Sequence, residues 1–294
     1  MKLKVFHRTH YSYAKPVHDS FNEARLQPTD NAEQIRHSFI LKVLPSTRLK
    51  HYLDFYVNCV HLFELTQPHN ELTVEATSIV TTCNNLRLTA EERPALLQEL
   101  SNSSELDRCY DFLQGSSYVD VSPETWRLAL DIIGEETDVW QIAQLIMQYI
   151  NREFRYEPNS THVHTTMAEV MKLRAGVCQD FAHVMLGLCR SIKLPARYVS
   201  GYLYNGPVEQ LKGAQASHAW VEIYITGHGW VGLDPTNNQP VDGHYVKIGV
   251  GRNYGDVPPI RGTYRGTQER KLTVDVLVSL IDELATTPAI AIAV

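Results

Sequence analysis

The stretch that most constrains this 294-residue chain is Arg174-Ala175-Gly176-Val177-Cys178-Gln179-Asp180-Phe181-Ala182-His183. From Phe181 onward, Phe181, Val184, Met185, Leu188, Cys189 and Ile192 recur at the spacing of one helical face, which predicts a buried helix. Gly176 breaks the preceding segment, and Asp180 stands in the first turn, where unpaired N–H groups favour an acid. Cys178 therefore falls where a loop becomes a helix. The macrodipole and free N–H groups there favour a thiolate, and such sites lower a thiol pKa to roughly 3.5–7.5. A nucleophilic cysteine needs that address, and it also needs a base and a group to orient the base.

Two later segments supply them. Ser217-His218-Ala219-Trp220-Val221-Glu222-Ile223-Tyr224-Ile225 alternates polar and apolar residues and reads as a strand opening at His218. Thr226-Gly227-His228-Gly229 reads as a turn, and Trp230 to Thr236 as a short second strand. His218 and Asp234 lie 8 residues either side of Thr226, an even separation that places both side chains on one face of a hairpin. Pro235 ends the strand because it has no N–H to donate. Each residue alone reads more plainly as a buried thiol, a structural histidine or an Asp-Pro turn. Their order on these elements points to Cys178 as nucleophile, His218 as base and Asp234 as orienter.

These three motifs, Gly-Val-Cys-Gln-Asp-Phe-Ala-His, Ser-His-Ala-Trp-Val-Glu and Trp-Val-Gly-Leu-Asp-Pro-Thr, resemble the bacterial transglutaminase-like superfamily. The resemblance implies a papain-like core in which a cysteine-bearing helix packs on an antiparallel sheet carrying His and Asp. Two further motifs extend it. His7-Arg8-Thr9-His10-Tyr11-Ser12-Tyr13 is similar to the His-x-Thr-x-Tyr-x-Tyr pattern of an N-terminal β domain in many bacterial members. Gly251 to Pro259 resembles a motif usually reading Gly-Arg-Asp-Tyr-x-Asp-Val-Pro-Pro, with Asn253 in place of its Asp. Where that β domain usually has a Gly-Asn turn, this chain has Val57-Asn58.

The expected class is α+β: an N-terminal β-sandwich-like domain over residues 1–90, then a transglutaminase-like domain over 91–294. The second domain divides into a helical lead-in (91–160), a motif core (161–240) and C-terminal strands to 294. Six short strands are expected before residue 82: Leu3 to Tyr13, Phe21 to Leu26, Ile35 to Leu44, Tyr52 to Val57, Val60 to Leu65 and Leu72 to Val80. Ser122-Pro123 opens a helix ending before Gly134, Asp138 caps another over Val139 to Ile150, and Thr166 with Glu169 forms a capping box. Ala196 to Leu203 reads as a strand leading toward the site, and Leu272 to Val278 as the last strand. The polar run from Asn205 to Ala216 reads as an exposed connection, with a substrate-gating lid as the alternative.

Net charge of −6 without long basic runs argues against nucleic acid and anionic membranes as partners, and no apolar run reaches the ~18 residues of a membrane helix. Five scattered cysteines without a Cys-x-x-Cys pair indicate neither a disulfide framework nor a zinc site, and a cytoplasmic setting is expected. The expected chemistry is thiol-dependent acyl transfer from an amide or peptide through a thioester. Hydrolysis comes first and transfer to an amine second; a non-catalytic binding module is the competing class. The Cys178 N–H is the expected oxyanion donor, with Tyr156 and Trp220 read mainly as packing. No cofactor is expected, because no acidic cluster has calcium-ligand spacing. A histidine metal site from His162, His164, His183 and His218 is the weaker alternative.

Overall fold

The computed structural model describes residues 1–83, 95–101, 104–206 and 217–281. Residue 90, the expected domain boundary, residues 207–216 of the expected lid, and the apolar tail from residue 282 lie outside them. Five strands form the N-terminal region: β1 (Lys2–Ala24), β2 (Gln34–Leu44), β3 (Lys50–Leu53), β4 (Cys59–Leu65) and β5 (His69–Thr82). The two strands expected over Leu3–Tyr13 and Phe21–Leu26 are one strand. Lys15-Pro16 does not reverse the chain; the ladder only shifts register between Ser12 and Val17. The first half of β1 pairs with β5 and its second half with β4, so a single bent strand serves two leaves of a curled antiparallel sheet. Tyr13, Val17, Phe63, Leu72 and Val74 from these strands gather in one apolar cluster.

The strand expected over Tyr52–Val57 stops at Leu53. Asp54 Oδ1 accepts the N–H groups of Tyr56 (3.0 Å) and Asn58 (2.9 Å), and Val57 takes φ 65°. That left-handed conformation is one glycine adopts freely and a β-branched residue rarely does, so Val57 stands strained in this turn.

The helical part follows with α1 (Leu97–Ser101), a 3-10 stretch (Ser104–Leu113), α2 (Pro123–Ile133) and α3 (Val139–Glu153). The expected caps form: Ser122 accepts Thr125 N–H (3.3 Å) and Asp138 accepts Gln141 N–H (2.9 Å). Then come β6 (Arg155–Tyr156), α4 (Met167–Leu173), β7 (Ala175–Gly176) and α5 (Cys178–Ser191), with the Thr166–Glu169 capping box closed at α4. A five-stranded sheet comprises β8 (Ala196–Leu203), β9 (His218–Ile225), β10 (Gly229–Asp234), β11 (Gln239–Pro240) and β12 (Tyr245–Gly251), in the order β11-β10-β9-β8-β12.

Helix α5 is the centre of this half. The sequence shows one apolar stripe, yet every residue from Asp180 to Arg190 is buried, because α2, α3, α4 and the sheet enclose it on all sides. Ala219, Val221 and Ile223 of β9 form its floor. Its one buried cation, Arg190, donates to the carbonyls of Ala196 (3.0 and 2.8 Å), Gln114 (2.9 Å) and Arg252 (2.6 Å), which satisfies the guanidinium without a carboxylate.

The last two strands, β13 (Ile260–Arg265) and β14 (Arg270–Leu280), correct the expected grouping of the C-terminal strands with the catalytic core. Both pair with β1, β14 along its first half and β13 along its second. A long strand with an open edge takes up whatever complementary strand reaches it, whichever part of the sequence supplies it.

The two regions are also joined directly. Leu3, Val5 and Val80 pack with Tyr202, Val246 and Ile248. The outer edge of β12 is closed by two side-chain amides. Gln34 donates to Lys247 O (2.9 Å) and accepts Lys247 N–H (2.8 Å), and Asn58 does the same at Val250 (2.8 and 2.8 Å). The Tyr202 hydroxyl hydrogen-bonds buried His7 Nδ1 (2.9 Å), and His7 Nε2 pairs with Thr9 Oγ1 (2.8 Å). Burial lowers His7 to about 4, so it stays neutral in this joint.

Candidate active site

Cys178 is the first residue of α5 and is 9% exposed. The turn before it is held by Asp180, whose Oδ2 accepts Val177 N–H (2.8 Å) and Thr161 O–H (2.6 Å). Burial raises the Asp180 pKa against the pull of those two donors. Gln179 Nε2 donates to Val163 O (3.2 Å), so the loop before α4 is tied to the same helix start. First-turn N–H groups of a helix have no intrahelical acceptor, so that of Cys178 is available to an anion beside the thiol.

The β9–β10 hairpin positions the other two residues. Its register, Gly229 against Ile225 through Leu233 against Val221, centres the turn on Gly227 rather than Thr226. Gly227 (φ 80°) and Gly229 (φ 82°) supply the left-handed conformations this short loop requires. The one-residue offset leaves the His218–Asp234 separation even, so the two side chains still share a face and meet diagonally. His218 Nε2 and Asp234 Oδ2 are 2.8 Å apart, with both side chains 0% exposed.

Asp234 is heavily supported. Tyr245 O–H (2.8 Å) and Asn237 Nδ2 (2.7 Å) donate to Oδ2, and the N–H groups of Thr236 (2.8 Å) and Asn237 (3.3 Å) donate to Oδ1. Asn151 at the end of α3 holds the next turn by donating to Thr236 O (2.9 Å). Burial would protonate Asp234, but His218, Asn237 and Tyr245 hold its pKa below the usual value. Burial likewise disfavours charge on His218, but Asp234 and then Cys178 outweigh it and raise His218 to about 10. Nε2 is committed to Asp234, whereas Nδ1 makes no hydrogen bond, and Cys178 acts on this ring as one of the groups that raise its proton affinity.

Aromatic residues fix the ring. Trp220, fully buried, stacks on His218 with centroids 6.3 Å apart at 28°. Gly201 makes room for it: a Cβ there would lie 2.4 Å from Trp220 Cη2 and 2.2 Å from Val246 O. Tyr156 packs edge-on to Phe181, and its hydroxyl is pushed up to about 12 by burial, then by Cys178 and Asp234. It therefore stays protonated at neutral pH.

Cys178, His218 and Asp234 are thus brought together, whereas the four histidines weighed as a metal site are not. His183 is wholly buried between Tyr118 and Tyr198 (centroids 5.0 and 5.3 Å), and its Nε2 accepts Tyr254 N–H (3.2 Å). His162 and His164 sit together on the loop before α4. Among the described residues no group of three His, Cys, Asp or Glu side chains is placed to hold a metal ion. Sequence reasoning missed Tyr245 and Asn237. Asn237, three residues after Asp234, carried an Asx-turn signal, and Tyr245 carried none.

Residues 127–235 match the transglutaminase-like superfamily core, and residues 3–81 match the bacterial transglutaminase-like N-terminal region. An uncharacterized protein of Mycobacterium leprae is 34% identical over 280 residues, which cover 95% of this chain and 98% of that protein. A protein-glutamine gamma-glutamyltransferase of Pseudomonas aeruginosa is 31% identical over 101 residues, 32% of this chain and 15% of that protein. The crystal structure of a candidate cysteine protease from Cytophaga hutchinsonii shares the fold, with a TM-score of 0.77 at 23% identity over 96% of this chain and 91% of that one.

Proposed function

We propose that this chain, which belongs to the transglutaminase-like superfamily, is a thiol-dependent enzyme that cleaves an amide or peptide substrate by hydrolysis through Cys178, His218 and Asp234. The observation that carries the reading is the buried His218–Asp234 pair, 2.8 Å apart, raising the proton affinity of a ring that interacts with a thiol at a helix start. A ring that binds its proton that tightly favours an imidazolium beside a thiolate. Cys178 Sγ attacks the carbonyl carbon, and the carbonyl oxygen takes the charge against the Cys178 N–H. Tyr156 is the second donor in this reading. His218 Nδ1–H protonates the departing nitrogen, leaving a thioester. Water, deprotonated by the same nitrogen, then releases the carboxylic acid and the thiol.

Transfer of the acyl group to an amine is the second reading, favoured by the local similarity to the Pseudomonas aeruginosa glutamyltransferase. The pH dependence of iodoacetamide alkylation at Cys178, read by peptide mass spectrometry in wild type and His218→Ala, tests the shared first half. Rapid labelling at pH 6 that collapses in the variant is the expected result. Slow labelling that rises only near pH ~8.5 in both proteins would exclude the reading and favour a binding module. Dansylcadaverine added to a glutamine peptide then separates the two acceptors: release of free acid marks hydrolysis, and a mass gain of the amine marks transfer.

A further inference from the structure

Apart from the Cys178 centre, a cavity of about 420 Å³ opens where β1, β13, β14 and the Tyr254–Asp256 turn meet. That volume is within the ~300–1,000 Å³ of ligand sites. Its lining is chemically one-sided. It contains five tyrosines and two arginines, Arg261 and Arg270, and no Asp or Glu, in a chain whose net charge is −6. Arg270 lies over the rings of Tyr11 (5.8 Å) and Tyr264 (5.7 Å), which orients its plane and leaves its edge N–H groups for a ligand. Among the described residues neither arginine is ion-paired, and the buried Tyr264 hydroxyl has no hydrogen-bond partner. The two arginines and the hydroxyl together form a donor set without an acceptor.

Cys178, His218 and Asp234 do not line the cavity, but two of its residues contact the helix that bears Cys178. Val163 is part of its wall, and the Val163 carbonyl accepts from Gln179, the residue after Cys178. Tyr254, also part of its lining, donates its N–H to His183 further along α5. The segment His7–Tyr13 is thereby divided in its roles. His7 and Thr9 join the two regions, and Tyr11 and Tyr13 face the cavity.

We propose that this cavity is a substrate subsite that receives an acidic side chain of the polypeptide acyl donor, with Arg261 and Arg270 pairing its carboxylate and the tyrosines stacking on the flanking chain. Guanidinium forks pair with carboxylates in two-point geometry, and both arginines are exposed, so their donors are open to an incoming chain. The N-terminal region and the C-terminal strands then share one task, to present the substrate to α5. This inference rests on the thiol acyl reading, but its test is separable from that reading.

The test uses the full chain carrying Cys178→Ala, so that binding is read without turnover, and fluorescein-labelled nine-residue peptides with a central glutamine flanked by glutamates, by lysines or by serines. By anisotropy at low salt, the glutamate peptide should bind at least tenfold tighter than the other two. Arg261→Gln with Arg270→Gln should remove that preference, and the paired Arg→Lys variants should restore part of it. In the same variants carrying an intact Cys178, iodoacetamide labelling should proceed at the wild-type rate, which shows that the fold and the thiol are unaffected. Equal binding of all three peptides, no measurable binding of the glutamate peptide, or a preference that survives loss of both arginines would overturn the subsite. None of these results alters the alkylation result that tests the acyl reading.

Discussion

Two regions of the transglutaminase-like half each bury a histidine completely, and the two rings have opposite fates. His218, at the start of β9, is raised to about 10, whereas His183, midway along α5, is lowered to about 3. Burial penalises the charged form of both. The difference lies in what faces them. Asp234 stands 2.8 Å from His218. His183 has Tyr118, Tyr198 and the Tyr254 N–H beside it, with Arg190 adding a like charge. A hydrophobic interior makes a neutral histidine, and only a carboxylate fixed in that interior makes a charged one. What separates the two rings is therefore the Asp234 carboxylate, held in place by the four groups that donate to it.

The most severe way to break this contrast is to neutralise Asp234. Asp234→Asn should slow iodoacetamide labelling of Cys178 at pH 6 by about 10²–10⁴-fold, while His183→Gln should change it less than about threefold. Comparable losses in both variants would mean that the two histidines do not differ in role. Next in size is Tyr156→Phe. Removing one oxyanion donor costs about 10²–10³ in kcat at established sites, and a loss of about tenfold or more with KM unchanged is expected here. A change in KM alone would reduce Tyr156 to a packing residue.

The two rings should also leave separate marks on stability. A group whose folded pKa is depressed costs stability as pH falls below its unfolded value. His183, with an ordinary pKa of 6.5 and about 3 when folded, should cost about 2 kcal/mol at pH 5 relative to neutral pH. Urea midpoints across pH 5–7 should show that slope in wild type and a shallower one in His183→Gln. His218, raised to about 10, stabilises fully below pH 6.5, and its contribution is lost as pH rises through about 10. An alkaline slope unchanged in His218→Ala would contradict the pairing. The smallest expected effect is none: EDTA should leave both labelling and turnover unchanged, and a loss restored by added metal would overturn the expectation of metal independence.

Cysteine selectivity sharpens the same point. Cys189, on the same helix, is fully enclosed and pushed up to about 12 by burial, so alkylation of the native protein should mark Cys178 and spare Cys189.

Much of this was legible in the chain. Caps and breakers are local, so Ser122-Pro123, Asp138, Thr166 with Glu169, and Gly227 marked elements that form as read. The place of Cys178 at a helix start and the shared face of His218 and Asp234 follow from periods of 3.6 and 2, which survive a one-residue error in the turn. What local rules could not supply was enclosure. One apolar stripe does not reveal that α5 is covered on every side, and Pro16 reads as a turn until β4, β5, β13 and β14 are seen to pair along one continuous strand.

By itself, then, the sequence determined the family, the α+β class, the place of Cys178 at a helix start and the shared hairpin face of His218 and Asp234, which are matters of backbone geometry. The tertiary structure alone decided that β13 and β14 close the N-terminal sheet, that Tyr245 reaches Asp234 from 11 residues away, and that Gln34 and Asn58 seal the edge of β12. Those contacts join segments whose separation along the chain carries no periodic signal. They exist because buried donors and open strand edges must find partners somewhere, and the fold determines which residues are within reach.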